Sequence, residues 1–268
     1  MARLHHERIA AAGAEPASWL LLTHGIYGAG ANWRSIARRL TARRPTWGVL
    51  LVDLRHHGRS EAGTPPNTVA ACASDVLALL DQVPARAIAG HSFGGKVVLA
   101  TRLLSPPHLA QTWVLDASPS PRPGGMAEPD NTVVEVLELM ERLPRTWPRR
   151  EDFVAAVVAD GRAPALAQWL AMNLVAEAGS YVLRLDLPAI REMLVDYYAA
   201  DLWDGVLRET PGSVEIVIAE RSTTISAADR DRLAAAPPHV HVHRVAAGHW
   251  LHIDAPDAVV ELFATGLP

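Results

Sequence analysis

One cysteine, Cys72, stands in 268 residues, so no internal disulfide can form. It lies in the run Asn67–Gln82, where Ala, Val and Leu recur at helical spacing and no glycine turn or histidine cluster surrounds it. That setting describes a buried, inert thiol rather than a nucleophile. No stretch approaches the roughly 18 uncharged residues that cross a bilayer, and Met1-Ala-Arg-Leu-His-His-Glu-Arg8 lacks the apolar centre of a signal peptide. The expectation is a cytoplasmic protein without a membrane partner. Charge of neither sign prevails: 25 Lys and Arg face 29 Asp and Glu, a net charge of −4, which supplies no basic field for nucleic acid. A small-molecule partner is expected. Repeats and low-complexity tracts are absent as well.

What is present is an alternating pattern. Short apolar, β-rich runs occur at Trp19–Thr23, Trp47–Val52, Ala87–Ala89, Thr112–Leu115, Val214–Ile218 and His239–Val245. Helical spacing fills Asn32–Arg43, Asn67–Gln82 and Gly95–Leu104 between them. The βαβα order predicts an α/β fold with a mostly parallel sheet and helices on both faces. After Asp116 the alternation breaks at Ser118-Pro-Ser-Pro-Arg-Pro-Gly-Gly125, and no strand is expected before Val214. Thr132–Leu143, Arg150–Ala159 and Ala165–Ala176 read as helices. The predicted organisation is a core over 1–120 and 211–268, with a helical cap over 121–210.

Ile88-Ala-Gly-His-Ser-Phe-Gly-Gly95 joins an apolar strand to a helix through G-x-S-x-G. Glycines two positions either side of Ser92 let strand and helix pass closely around a strained turn, and this turn presents the serine as a nucleophile. Its oxyanion donors are expected to be the Phe93 N–H and, from the glycine-bounded loop His24-Gly-Ile-Tyr-Gly28, the Ile26 N–H, with Tyr27 second. In the chain order Ser, acid, His, the base belongs in a loop after the last strand, where Gly248-His249-Trp250 stands.

Other motifs compete for the same residues. Gly90-x-x-x-x-Gly95-Lys96 is near a phosphate-binding loop, and Trp113-Val-Leu-Asp116 resembles a Mg²⁺-coordinating strand, but Val97 replaces the hydroxyl that holds the metal. Lys96 then reads as a surface or packing residue. His239, His241 and His243 share a strand face; Val240, Val242 and Val245 are taken as its core side, the histidines as solvated, and no metal is expected. Asp53, Arg55, His56, His57 and Gly58 form a strand-end turn and read as structural, with a place at the entrance as the alternative for His57.

His24-Gly25, Asp53-Leu-Arg-His-His-Gly-Arg-Ser60, Gly90-His-Ser-Phe-Gly-Gly95 and Gly248-His249-Trp250 together resemble the α/β-hydrolase superfamily. More narrowly, His-Gly-Ile-Tyr-Gly with Asn32-Trp33, the Gly95-Lys96 pair, Leu115-Asp-Ala-Ser-Pro119 and Gln168-Trp-Leu-Ala-Met-Asn-Leu-Val175 are similar to the YbfF-like esterases and their eukaryotic relatives. The resemblance implies an α/β-hydrolase fold, a Ser-His-Asp triad and no cofactor. It leaves the acid open. Many members place it a few residues beyond the strand Val214–Ile218, where this chain has Ser222; the YbfF-like enzymes take it from the preceding strand, which here ends in Asp116. Glu220 and Asp229 are the alternatives. The expected activity is hydrolysis of small carboxylic esters or thioesters. Tyr27, Trp169, Met172 and Trp250 are expected around the substrate, and Leu174, Tyr197, Tyr198 and Trp203 are further candidates for an apolar acyl wall. Perhydrolysis, C–C bond hydrolysis and ligand binding with little turnover are the competing functions on the same scaffold.

Overall fold

The apolar runs are parallel neighbours, and both faces of the inner strands are covered. The computed structural model describes residues 1–83 and 85–268. Its first half runs β1 (His6–Ile9), β2 (Ser18–Thr23), α1 (Arg34–Arg43), β3 (Trp47–Val52), α2 (Val69–Leu80), β4 (Ala87–His91), α3 (Phe93–Leu103) and β5 (Gln111–Leu115). An insertion follows: α4 (Thr132–Arg142), β6 (Thr146–Trp147), α5 (Arg150–Ala159), α6 (Pro164–Leu170), β7 (Leu174–Glu177), β8 (Ser180–Leu183), α7 (Leu187–Ala199) and α8 (Trp203–Leu207). The chain closes with β9 (Ser213–Ala219), α9 (Ala227–Ala234), β10 (Val240–Val245), α10 (Leu251–Asp254) and α11 (Pro256–Gly266).

The main sheet has the order β1-β3-β2-β4-β5-β9-β10, parallel throughout except for β1, which pairs antiparallel with β3. Alternate residues divide between two cores. Leu21, Leu50, Ile88, Val114 and Ile216 pack with α2, α3 and the insertion, whereas Leu20, Leu22, Val49, Leu51 and Trp113 pack with α1 and α11. Among the described residues, no helix is long and apolar enough to cross a membrane.

Three expectations need correction. β1 was not foreseen. The helix expected over Ala165–Ala176 ends at Leu170, turns through a 3₁₀ segment at Ala171–Asn173 and continues as β7. The insertion is also not strand-free, because β7 and β8 form a hairpin that β6 joins, in the order β6-β8-β7. Its turn, Ala178 at φ 48° and Gly179 at φ 81°, has two left-handed residues, the geometry that matches the twist of tightly linked strands.

Candidate active site

Because β4, β5, β9 and β10 are parallel, the loops leaving them emerge at one sheet edge. Ser92 sits between β4 and α3 at φ 52°, ψ −115°. Such backbone strain costs about 1–3 kcal/mol and persists only where its surroundings enforce it. Here the Ser92 N–H donates to Leu115 O at 3.0 Å, and the Gly95 N–H donates to Ser92 O at 2.8 Å. A Cβ on Gly90 would lie 2.0 Å from Gly94 O, and one on Gly94 would lie 2.5 Å from Thr23 Oγ1, so the turn closes only around glycine.

Asp116, at φ 47° just beyond β5, is fully buried. Its Oδ1 accepts the Ala219 N–H at 3.1 Å, and its Oδ2 lies 2.7 Å from His249 Nδ1. An ionised carboxylate only accepts, so Nδ1 carries the ring proton and Nε2 is left with its lone pair. Thr224 Oγ1 stands 3.1 Å from the same Nδ1. Beneath the imidazole, His91 lies at a ring separation of 4.7 Å and donates its Nε2–H to His249 O at 2.8 Å, which fixes the loop. Burial, with the neighbouring His249 and His252, holds the His91 pKa well below the usual histidine value. No hydrogen bond joins Ser92 Oγ to His249 among the described residues, although both side chains line the same cleft.

Neither Glu220 nor Asp229 is hydrogen-bonded to His249 among the described residues, although Asp229 lines the same cleft. Glu220 is exposed. The Asp229 carboxylate is occupied by the hydroxyls of Ser118, at 2.7 Å, and Ser120, at 2.5 Å. The Ile26 and Phe93 N–H groups meet no protein acceptor among the described residues, and both residues border the cleft beside Ser92. Phe93 opens α3, whose first amides have no partner within the helix.

The cleft has two arms that meet at Ile26, Ser92, Val133, His249 and Trp250. One, of about 500 Å³, is walled by Val136, Leu166, Trp169, Trp250 and Ile253. The other, of about 770 Å³, carries Ser118, Asn131, Arg122, Arg221, Thr224 and Tyr197. Trp169 and Trp250 meet edge to face with centroids 4.5 Å apart, so the insertion touches the residue that follows His249. Tyr197 falls in the polar arm rather than an apolar wall; burial, with Tyr198 and Asp116, raises its pKa.

Several expected residues are placed differently. Met172 is half exposed and contacts Asn32 instead of lining the cleft. Tyr27 borders the apolar arm but is buried, its hydroxyl donating to Val133 O at 2.7 Å. Leu174 and Trp203 are buried packing residues. His57 lies in the interior against His24, and burial pulls its pKa down to about 3, so it does not line an entrance. The histidine face of β10 is not simply solvated: His241 Nδ1 and His243 Nε2 reach the buried Glu215 carboxylate at 2.9 and 2.8 Å, and His243 stacks on Trp113. Val245 shares that face and is buried, whereas Val242 is exposed, because β10 forms the sheet edge. Burial raises the Cys72 pKa strongly.

Lys96, the only lysine among the 25 Lys and Arg, is buried, and its Nζ donates to Ser120 O, Tyr197 O and Ala200 O at 2.9, 2.8 and 2.7 Å. Three carbonyls occupy its three protons, which removes the phosphate-binding reading and ties α3 to the insertion. Sequence reasoning did not anticipate Thr224; the hydroxyl-rich run Ser222-Thr-Thr224, standing where an acid is common, was the available signal.

A parallel sheet with a strained serine at a strand-to-helix turn, and an inserted element over its carboxyl edge, is the architecture of the α/β hydrolases. The chain belongs to the alpha/beta hydrolase family, whose sequence profile matches residues 20–262. It is 29% identical over 241 residues to the sn-1-specific diacylglycerol lipase ABHD11 of Xenopus laevis, covering 88% of this chain and 75% of that one. It is 27% identical over 247 residues to the esterase YbfF of Escherichia coli, covering 90% and 89%. Among solved structures, a marine microorganism esterase superposes with a TM-score of 0.82 at 20% identity, covering 97% of this chain and 98% of that one.

Proposed function

We propose that the protein is a serine hydrolase that cleaves carboxylic esters or thioesters in which an apolar acyl chain is joined to a polar alcohol or thiol. The observation that carries this reading is the His249 ring, paired at 2.7 Å with a buried carboxylate, beside a strained serine where an apolar and a polar arm meet. The relatives named as esterase and lipase support the same class.

In this mechanism Ser92 Oγ attacks the acyl carbonyl as His249 Nε2 takes its proton. Asp116 holds the imidazole and offsets the charge it gains. The negative oxygen is received by the Ile26 and Phe93 N–H groups, which spend no hydrogen bond elsewhere. Collapse breaks the bond to the alcohol or thiol, and His249 returns the proton to it. Water, deprotonated by His249, then releases the acid and restores Ser92. The insertion acts as a cap over both arms. The apolar arm takes the acyl chain; the hydroxyls and arginines of the other suit a polar leaving group.

Intact-protein mass spectrometry after fluorophosphonate treatment, followed by a panel of p-nitrophenyl and CoA esters of rising chain length, tests the proposal. One adduct is expected, absent in Ser92→Ala, together with hydrolysis of the panel. Labelling that persists in Ser92→Ala, or a labelled protein inert to every ester, overturns it.

A further inference from the structure

We infer that Asn173, in the insertion, is a positioning residue that aims the Ile26 N–H at the reacting carbonyl through two peptide planes. The inference rests on the acyl-transfer reading of the cleft. Two sequence motifs far apart in the chain, Gln168-Trp-Leu-Ala-Met-Asn-Leu174 and His24-Gly-Ile-Tyr-Gly28, are parts of one device.

The path begins at the Asn173 amide. Its Nδ2 donates to Tyr27 O at 2.8 Å and to Leu170 O at 3.2 Å. Both partners are carbonyls, so the nitrogen must face them. A peptide unit is rigid and trans, so fixing its carbonyl also fixes the direction of its N–H. The unit that carries Tyr27 O also carries the Gly28 N–H, which donates to Gly25 O at 3.0 Å. The unit that carries Gly25 O carries, in turn, the Ile26 N–H. His24 Nδ1 reaches the same Gly25 O at 2.8 Å, while its Nε2 accepts the Leu54 N–H at 3.0 Å. The second carbonyl is thus gripped from two sides.

Left alone, this loop would not keep its shape. Tyr27 holds φ 61°, a conformation that L-residues other than Asn, Asp and His seldom adopt. The insertion enforces it twice, through Asn173 on the carbonyl and through Val133 O on the Tyr27 hydroxyl at 2.7 Å. Asn173 and Tyr27 are both buried, so water does not readily replace either contact.

The test compares binding of a transition-state mimic with binding of the ground state. A trifluoromethyl ketone carrying the acyl chain of a good substrate forms a tetrahedral adduct whose oxygen occupies the oxyanion site. Asn173→Asp keeps the shape but turns a carboxylate towards two carbonyls; Asn173→Ala removes the contact. Displacing a donor by about 1 Å costs on the order of 10²-fold, so kcat/KM should fall about 10- to 100-fold. Ketone affinity should fall in proportion. The Kd of the uncleaved substrate on a Ser92→Ala background should change less than threefold, and the loss should be equal across acyl lengths. Should either Asn173 variant misfold, Tyr27→Phe, which releases only the Val133 tether, should give a smaller loss with the same proportionality. Glu192→Gln weakens a cap contact with Asn67 on the far side and should leave the ketone-to-substrate ratio unchanged. Folded variants that lose turnover but bind the ketone like wild type overturn the inference, as does a ratio that moves equally in Glu192→Gln. If the wild-type protein takes up no fluorophosphonate, the acyl-transfer reading fails instead.

Discussion

Asp116→Asn separates the charge of the buried carboxylate from its shape. Asn can still accept the Ala219 N–H with its oxygen, as Asp116 Oδ1 does at 3.1 Å. That orientation turns its NH₂ towards His249 Nδ1, where Oδ2 now lies at 2.7 Å. Two donors cannot share one bond, so the ring is driven to the tautomer with its proton on Nε2, and it can no longer take the proton of Ser92. In a serine protease of the same logic this change lowers kcat about 10⁴-fold. We expect a fall of about 10³–10⁴, or roughly 4–5.5 kcal/mol of transition-state stabilisation. Asp116→Ala is a less clean test, because the orphaned Ala219 amide adds about 1–3 kcal/mol of instability. Turnover of a saturating p-nitrophenyl ester at pH 7.5 is the assay, with circular dichroism and thermal melting to match folding. Glu220→Gln, at an exposed position, and Asp229→Asn, whose carboxylate faces Ser118 and Ser120, should each cost less than about tenfold. Near wild-type turnover in Asp116→Asn refutes the reasoning, and a comparable loss in Glu220→Gln moves the acid to β9.

Trp169→Ala should change the ratio of kcat/KM between short and medium acyl esters by about tenfold, whereas Met172→Ala, at a half-exposed position, should leave it unchanged; equal ratios in the two variants would dissolve the apolar arm as a chain-length gauge. Gly90→Ala should destabilise by about 3 kcal/mol or more, since its Cβ would lie 2.0 Å from Gly94 O, and a melting temperature within a degree of wild type would contradict the packing of the turn. Burial alone would raise the Glu215 pKa, but hydrogen bonds from His243, Ser213 and His241 hold it below the usual glutamate range. A depressed carboxyl contributes stability that is complete above its unfolded pKa of about 4.3 and is lost as pH falls through the folded value. Urea melts from pH 7 to pH 3 should therefore show the gap between wild type and Glu215→Gln narrowing below about pH 4.5, and a gap independent of pH would rule out this linkage.

Where apolar alternation or a continuous β-rich run was strong, the fold was legible. β3 occupies Trp47–Val52 as read, and β4, β5 and β9 differ from their sequence readings by one or two residues at an end. β1 was not legible because His6-Glu-Arg-Ile9 has one strongly apolar residue, and its strand character comes from pairing with β3. The hairpin β7–β8 was hidden for the opposite reason. Ala165–Ala176 stays rich in Ala, Leu and Met past Leu170, and only tertiary pairing with β8 draws Leu174–Glu177 into a strand. The juxtaposition of His249 with Asp116 could be read only with the resemblance to the YbfF-like enzymes, since Ser222 offered no carboxylate and Asp116 ended a strand at the right edge but Glu220 and Asp229 stayed open. The engagement of Asp229 by two serines, the outward turn of Met172 and the neighbourhood of Thr224 depend on side-chain directions that spacing does not encode.

The solitary Lys96 has a consequence of its own. Apart from the amino terminus, the folded protein offers amine reagents a single target, and that target is hidden beneath three carbonyls from the connector and from the end of α7. If acylation of its ε-amine waits until this region lifts, the labelling rate reads the population of that lifted form when closing is fast. A ligand that spans both arms would slow that labelling by the factor by which it depletes the lifted form. One mass increment, read over time, would then report any such lifting without an introduced probe.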